Sequence, residues 1–151
     1  MSSESSERIM AFDVGSKSCG IAVTDPLGIT VQPLTTVRYK GWHDQQRAFQ
    51  ELQKILTEYT PAVVVIGLPT SKDGGSNVQC ERIQAFTKGF QNHLKQNNFA
   101  IDQIQWEFCD ESHSSQEVEE LMISFDVSRA KRAKVIDQLA AVVILRRFLG
   151  E

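Results

Sequence analysis

Three acids in this chain stand where an acid is costly. Asp13 interrupts the apolar run IMAFDV, Asp137 is the lone carboxylate in KVIDQLAAVVIL, and the pair Asp110-Glu111 closes the strand-like stretch IQWEFC. A carboxylate set among apolar side chains is expensive unless something pairs with it. The plainest partner is a structural hydrogen bond, since buried polar groups are usually satisfied in that way. The sharper reading is chemical. Acids converging on one sheet edge repel one another and stay ionised together only around a cation. Hard oxygen ligands favour Mg²⁺ or Mn²⁺ over zinc. Two such ions, about 3.5–4 Å apart, suit in-line hydrolysis of a phosphodiester: one activates water and the other stabilises the leaving oxygen.

A phosphodiester substrate is anionic, so cations should line its approach. Arg129, Lys131, Arg132 and Lys134 form a basic run just ahead of Asp137. Lys17 sits in the turn Ser16-Lys17-Ser18 after Asp13, and Lys72 sits in the glycine-rich stretch GLPTSKDGGSN, whose exposed amides suit a phosphate. The formal net charge is −3, so nucleic acid must be held by this local patch and not by the whole molecule.

The elements that carry these groups are legible from periodicity. Residues 9–14 and 19–23 are apolar runs joined by a short turn, which reads as a β-hairpin. The first is apolar on both alternating faces, as in a central strand. Asp25-Pro26-Leu27-Gly28 is a β-turn, and 29–37 is a third strand rich in Thr and Val. Residues 40–44 read as a loop. Ala48, Phe49, Leu52, Ile55, Leu56 and Tyr59 fall at helical spacing over 44–59, and Pro61 closes that helix. The β-branched run at 62–66 is a buried strand expected parallel to the first. After the loop at 67–77, a helix runs to about residue 96, with Ser76 and Gln79 as a capping box. A fifth strand covers 104–109. Ser114 with Glu117 caps a short helix to about 123. The last helix is expected over 132–149, stopped by Gly150.

On that last helix Ala140, Ala141, Ile144 and Phe148 share the face of Asp137. Small alanines would let the helix lie close to the sheet and bring Asp137 towards Asp13. An acid in a first turn also gains from the helix dipole, which accounts for an aspartate there but not for its apolar face. In open α/β sheets ligands gather outside the carboxyl ends of the strands. A fifth strand parallel to the first would therefore add Asp110 or Glu111 to the same cluster.

The whole reads as an α/β fold, a sheet with helices on both faces. Residues 1–7 are expected as a loose tail and 8–151 as one domain, since 151 residues suit one core. Composition is that of a soluble globular chain, 41% hydrophobic and 23% charged. No apolar run approaches membrane-spanning length. Cys19, Cys80 and Cys109 are odd in number, widely spaced and without CxxC pairs. They argue against a disulfide framework or zinc site, read as small buried apolar residues, and fit a reducing cytoplasm. His43, His93 and His113 form no ligand pattern. Trp42 and Trp106 read as packing residues sooner than base-stacking platforms.

Taken together, DVGSKSCGIAVTDPLG, VVVIGLP with a following DG, DES near the end of the fifth strand and VIDQLAAVVIL resemble the YqgF family. Its members are described as Holliday-junction-resolvase-like proteins and as pre-16S rRNA nucleases. The likeness runs in register from Ile9 to Leu149. It implies a ribonuclease H-like fold, a five-stranded mixed sheet whose first three strands are antiparallel. It assigns metal binding to Asp13, Glu111 and Asp137, and so prefers Glu111 to Asp110. It implies a cytoplasmic nuclease, endo- or exonucleolytic, that matures the 5′ end of 16S rRNA, with the ribosome as a setting. Junction resolution on branched DNA is the other reading of the family, and a non-catalytic RNA-binding module of the same fold is a third. The family usually has Asp-Glu-Arg where this chain has Asp110-Glu111-Ser112; Arg129 or Arg132 would have to supply the missing guanidinium. A nucleotide-clasping ATPase of the actin and sugar-kinase class opens on a similar strand-turn-strand. It needs two such domains, and 151 residues leave no room for them.

Overall fold

Alternation along the first strand decides how the molecule is layered. In β1 (Ile9–Val14) Met10, Phe12 and Val14 point into one core and Ala11 into another. Large side chains on one face meet α1 (Gln45–Tyr59) and α2 (Asn77–Gln96); small ones on the other admit a closely packed helix. The computed structural model describes residues 7–69, 77–111 and 115–150, with backbone alone at positions 77, 111, 115, 133 and 134.

The remaining elements are β2 (Ser18–Thr24), β3 (Val31–Arg38), β4 (Val63–Pro69), β5 (Gln105–Glu111), α3 (Ser115–Ser124) and α4 (Arg129–Phe148). The sheet order is β3-β2-β1-β4-β5. β1 pairs antiparallel with β2 and β2 with β3, while β4 lies parallel to both β1 and β5. This is the five-stranded mixed sheet of the ribonuclease H-like arrangement. Helices α1 and α2 cover one face; α3 and α4 cover the other over Ala11, Ala22 and Val65.

Several boundaries differ from the sequence expectation, each for a local reason. β3 starts at Val31 because the Asp25 carboxylate accepts the amides of Leu27, Ile29 and Thr30 and holds 25–30 as a turn. A bulge follows in β3: Ile21 faces Thr35 but Ala22 faces Pro33. Proline has no N–H to give the ladder, which is where bulges form. Trp42–Asp44 is a short 3₁₀ turn, not a loop, and Asp44 caps nothing; its Oδ2 accepts the Lys40 amide instead. Thr60, in the left-handed region, ends α1. Parallel pairing carries β4 on through Pro69 and β5 through Glu111, so Gly67 and the Asp110-Glu111 pair belong to strands.

α4 starts at Arg129, three residues earlier than the periodicity indicates, and Gly150 at φ 83 follows its end. Both capping-box serines, Ser76 and Ser114, lie outside the described residues, as do His113 and residues 1–6 of the expected tail. Only Cys19 is buried as expected of all three cysteines. Cys80 opens α2 near the Pro69 carbonyl, and Cys109 sits near the end of the edge strand. Trp42 and Trp106 pack edge-on against Phe86 and Phe90. No described helix is long and apolar enough to cross a membrane.

Candidate active site

Asp13 lies one residue from the carboxyl end of β1, on the face that carries Ala11. Directly across β2 its partner is Gly20, and the partner of Gly20 on β3 is Thr36. On the other side, the parallel register sets Gly67 and then Cys109 at the same level. Strand alternation places position 111 on this face, two residues beyond Cys109, and position 110 on the opposite one. Register thus sets positions 110 and 111 on opposite faces, which the strand's own pattern does not reveal.

Asp137 reaches the same spot from above. α4 crosses the sheet with Asp137 against Gly20. A Cβ on Gly20 would lie 2.0 Å from the Asp137 carbonyl oxygen and 2.9 Å from its Cβ. No side chain fits there, and the missing one lets the helix backbone rest on the strand. The close approach is made at Gly20; Ala140 and Ala141 are buried further along the same helix. Ser18 Oγ donates a 2.7 Å hydrogen bond to Asp137 Oδ2 and fixes that carboxylate beside the hairpin turn. Because α4 begins at Arg129, Asp137 lies more than two turns inside it. The helix-dipole explanation of this acid is thereby lost, for the effect fades within the first turn.

The hairpin turn is tied from beneath. The Gly15 amide donates to the Ser18 carbonyl at 2.8 Å, and the Tyr39 amide donates to the Lys17 carbonyl at 2.9 Å. The Tyr39 hydroxyl donates to the Gly15 carbonyl and lies 3.0 Å from that of Ser18. Burial, then the neighbouring Cys19 and Asp13, push the Tyr39 hydroxyl well above its ordinary pKa. Burial, then Asp13 and Asp137, raise the Cys19 thiol likewise. Both groups register the negative potential that two carboxylates create at this end of the sheet.

Of the expected cations, Lys17 is exposed at the hairpin turn, and Arg129 and Lys131 are exposed on the first turn of α4. Arg132 is half-buried, and its Nε has no hydrogen-bond partner among the described residues. Position 134 lies one turn ahead of Asp137, and Lys72 falls outside the described residues. The whole basic run therefore lies within α4. Cations at a helix N-terminus oppose its dipole. Helix stability does not account for them.

Among the described residues no three His, Cys, Asp or Glu side chains are grouped for a metal. Two of the three expected acids, Asp13 and Asp137, flank Gly20, with the Ser18 hydroxyl beside them. An all-oxygen donor set of this kind fits a hard divalent cation. His93 is bonded to Gln53 between α1 and α2 and takes no part. Sequence reasoning overlooks Ser18, Gly20 and Tyr39. Gly20 did carry a signal, since a glycine inside a strand often marks a close backbone approach. The tyrosine carried none.

The family profile described as "RuvX: Holliday junction resolvase" matches residues 7–151. A protein of Oceanobacillus iheyensis is 36% identical over 144 residues, covering 95% of this chain and 98% of that protein. One of Bacillus cereus (strain AH187) is 37% identical over 142 residues, covering 94% and 97%. Each bears the name "Putative pre-16S rRNA nuclease". Among solved structures, T. thermophilus RuvC in complex with Holliday junction substrate aligns over 95% of this chain and 96% of that one. The identity is 12% and the TM-score 0.49.

Proposed function

Because the chain belongs to the RuvX (YqgF) family, we propose that it is a divalent-metal-dependent nuclease that hydrolyses phosphodiester bonds at the 5′ end of precursor 16S rRNA. The observation that carries the reading is that Asp13 and Asp137 both lie against Gly20, with Ser18 hydrogen-bonded to Asp137. Asp13 near the carboxyl end of β1, with Asp137 of α4 over the same sheet face, suits a cation and an anionic ligand together.

Asp13, Asp137 and Glu111 would hold Mg²⁺ or Mn²⁺. When bound, the ion supplies an activated water and neutralises charge on the phosphate. The chain's own residues do the rest. Ser18 orients the Asp137 carboxylate. Lys17, Lys72, Arg129, Lys131, Arg132 and Lys134 bind phosphates flanking the scissile bond, and the guanidinium groups take over the role of the family's arginine where Ser112 stands. With a net charge of −3, binding depends on these local cations and should weaken steeply with salt. An rRNA substrate places the protein in the cytoplasm, with the nascent small ribosomal subunit as its setting.

The family description favours one alternative substrate, the four-way DNA junction. The two are separated by offering purified protein a 16S 5′-leader RNA and a synthetic junction in Mg²⁺ or Mn²⁺. Cutting of the RNA alone supports the rRNA reading. Paired symmetric cuts in the junction, by a dimer, would replace it with resolution. RNA binding without cutting, unaffected by Asp13→Asn, would leave a binding module.

A further inference from the structure

Tyr39 is the first residue after β3, and its ring faces the core opposite to the one beneath α4. It is almost fully buried, at 6% exposure, and stacks on Phe86 of α2 with centroids 5.9 Å apart. A phenylalanine would fill that place equally well. The hydroxyl needs another explanation, and its surroundings give one. It bonds to the carbonyls of Gly15 and Ser18, the first and last residues of the β1–β2 turn. The Ser18 carbonyl also accepts the Gly15 amide, and the Ser18 side chain holds Asp137.

A continuous path therefore runs from one face of the sheet to the other: Tyr39 hydroxyl, Ser18 backbone, Ser18 hydroxyl, Asp137 carboxylate. Asp13 is set two residues before Gly15 on the same hairpin. If the turn twists, Ser18 Oγ and Asp13 move relative to each other. Displacements of this kind are costly in a site that depends on fixed geometry.

We propose that Tyr39 is a positioning residue for the acidic site, its hydroxyl holding the hairpin turn so that Ser18, and through it Asp137, keeps its place beside Asp13. The proposal rests on the nuclease reading for its effect on turnover, but not for its effect on the geometry. Tyr39 is buried on the face of the sheet opposite to Asp13 and Asp137. It acts from the rear of the sheet through two backbone carbonyls.

The test is a double-mutant cycle of Tyr39→Phe and Ser18→Ala, which isolates a coupling between the two positions. Amide spectra of the metal-free proteins are compared first. Tyr39→Phe should shift the Asp137 amide in the parent protein and leave it nearly still in the Ser18→Ala background. Mn²⁺ affinity and kcat on RNA should each fall about tenfold in Tyr39→Phe, as for removal of a group that orients a ligand. KM for RNA and the folded fraction should hold. An unmoved Asp137 amide, or equal effects of Tyr39→Phe with and without Ser18, would overturn the proposal. A parent protein that neither binds Mn²⁺ nor cuts RNA would instead refute the nuclease reading, and the amide comparison would still decide the role of Tyr39.

Discussion

Ser18 and Asp137, 119 residues apart in the chain, are joined by a 2.7 Å hydrogen bond from the serine hydroxyl to Oδ2 of the aspartate. The bond links the first residue of β2 to the middle of α4 and brings the hairpin turn and the helix to one point. Removing it should loosen the carboxylate without dismantling the fold. Ser18→Ala is expected to weaken Mn²⁺ binding about tenfold and to lower stability by about 1–2 kcal/mol, as for a bond to a charged group that is partly exposed. Calorimetric Mn²⁺ titration and urea unfolding read the two effects. Unchanged affinity would show that the serine does not orient Asp137.

Gly20 makes the second point of contact between the same elements. Gly20→Ala would drive a Cβ to 2.0 Å from the Asp137 carbonyl oxygen, and backbone cannot yield as a flexible side chain can. α4 would have to lift from the sheet. The expected cost is about 1–3 kcal/mol, the range for overpacking, with loss of metal binding even at full folding. A variant of parental stability and affinity would contradict the packing described.

The alkaline limb of stability follows from Cys19 and Tyr39. Both have pKa values raised in the folded state, chiefly by burial, above the ordinary 9.0 and 10.0. The unfolded chain releases these protons first, so stability falls with rising pH. The contribution is whole below about pH 8.5 and declines above the ordinary thiol value, then more steeply above that of tyrosine. Urea unfolding between pH 7 and 10.5 checks this. Cys19→Ala should remove the earlier part of the decline, and a decline that persists unchanged would refute its assignment.

The basic turn of α4 makes a separate claim. Arg129→Ala and Lys131→Ala should each weaken RNA binding and reduce the slope of log affinity against log salt by about 0.7–0.9, one phosphate contact apiece. Filter binding between 50 and 250 mM salt measures the slope. A slope unaltered in both variants would place the RNA elsewhere.

The two acids of the candidate site stand out from single elements. Asp13 stands out because alternation makes β1 apolar on both faces, and Asp137 because its helix face is otherwise apolar. What could not be read is what arises between elements. Whether Asp110 or Glu111 shares the face of Asp13 depends on the parity of the β4–β5 register, which no local pattern in β5 reveals. The partners of Ser18 and Tyr39 lie on other elements, and a hydroxyl looks the same in sequence whether or not it holds an acid. α4 starts three residues ahead of the expected position 132, for a physical reason. Arg129 and Lys131 oppose the helix dipole, and the apolar periodicity that marks the helix begins only after them. Tertiary packing against α3 and the sheet outweighs that preference.

A metal-dependent cleavage site built on Asp13 and Asp137 stands or falls with Asp13→Asn. Purified parent and variant would be given a 16S 5′-leader RNA with Mg²⁺ or Mn²⁺, and again with chelator. The parent should cut only with the divalent ion. Cutting by the variant should fall at least about 1,000-fold, a barrier increase of about 4 kcal/mol, with folding and RNA binding retained. Undiminished cutting by Asp13→Asn, or cutting that survives chelation, would rule that site out.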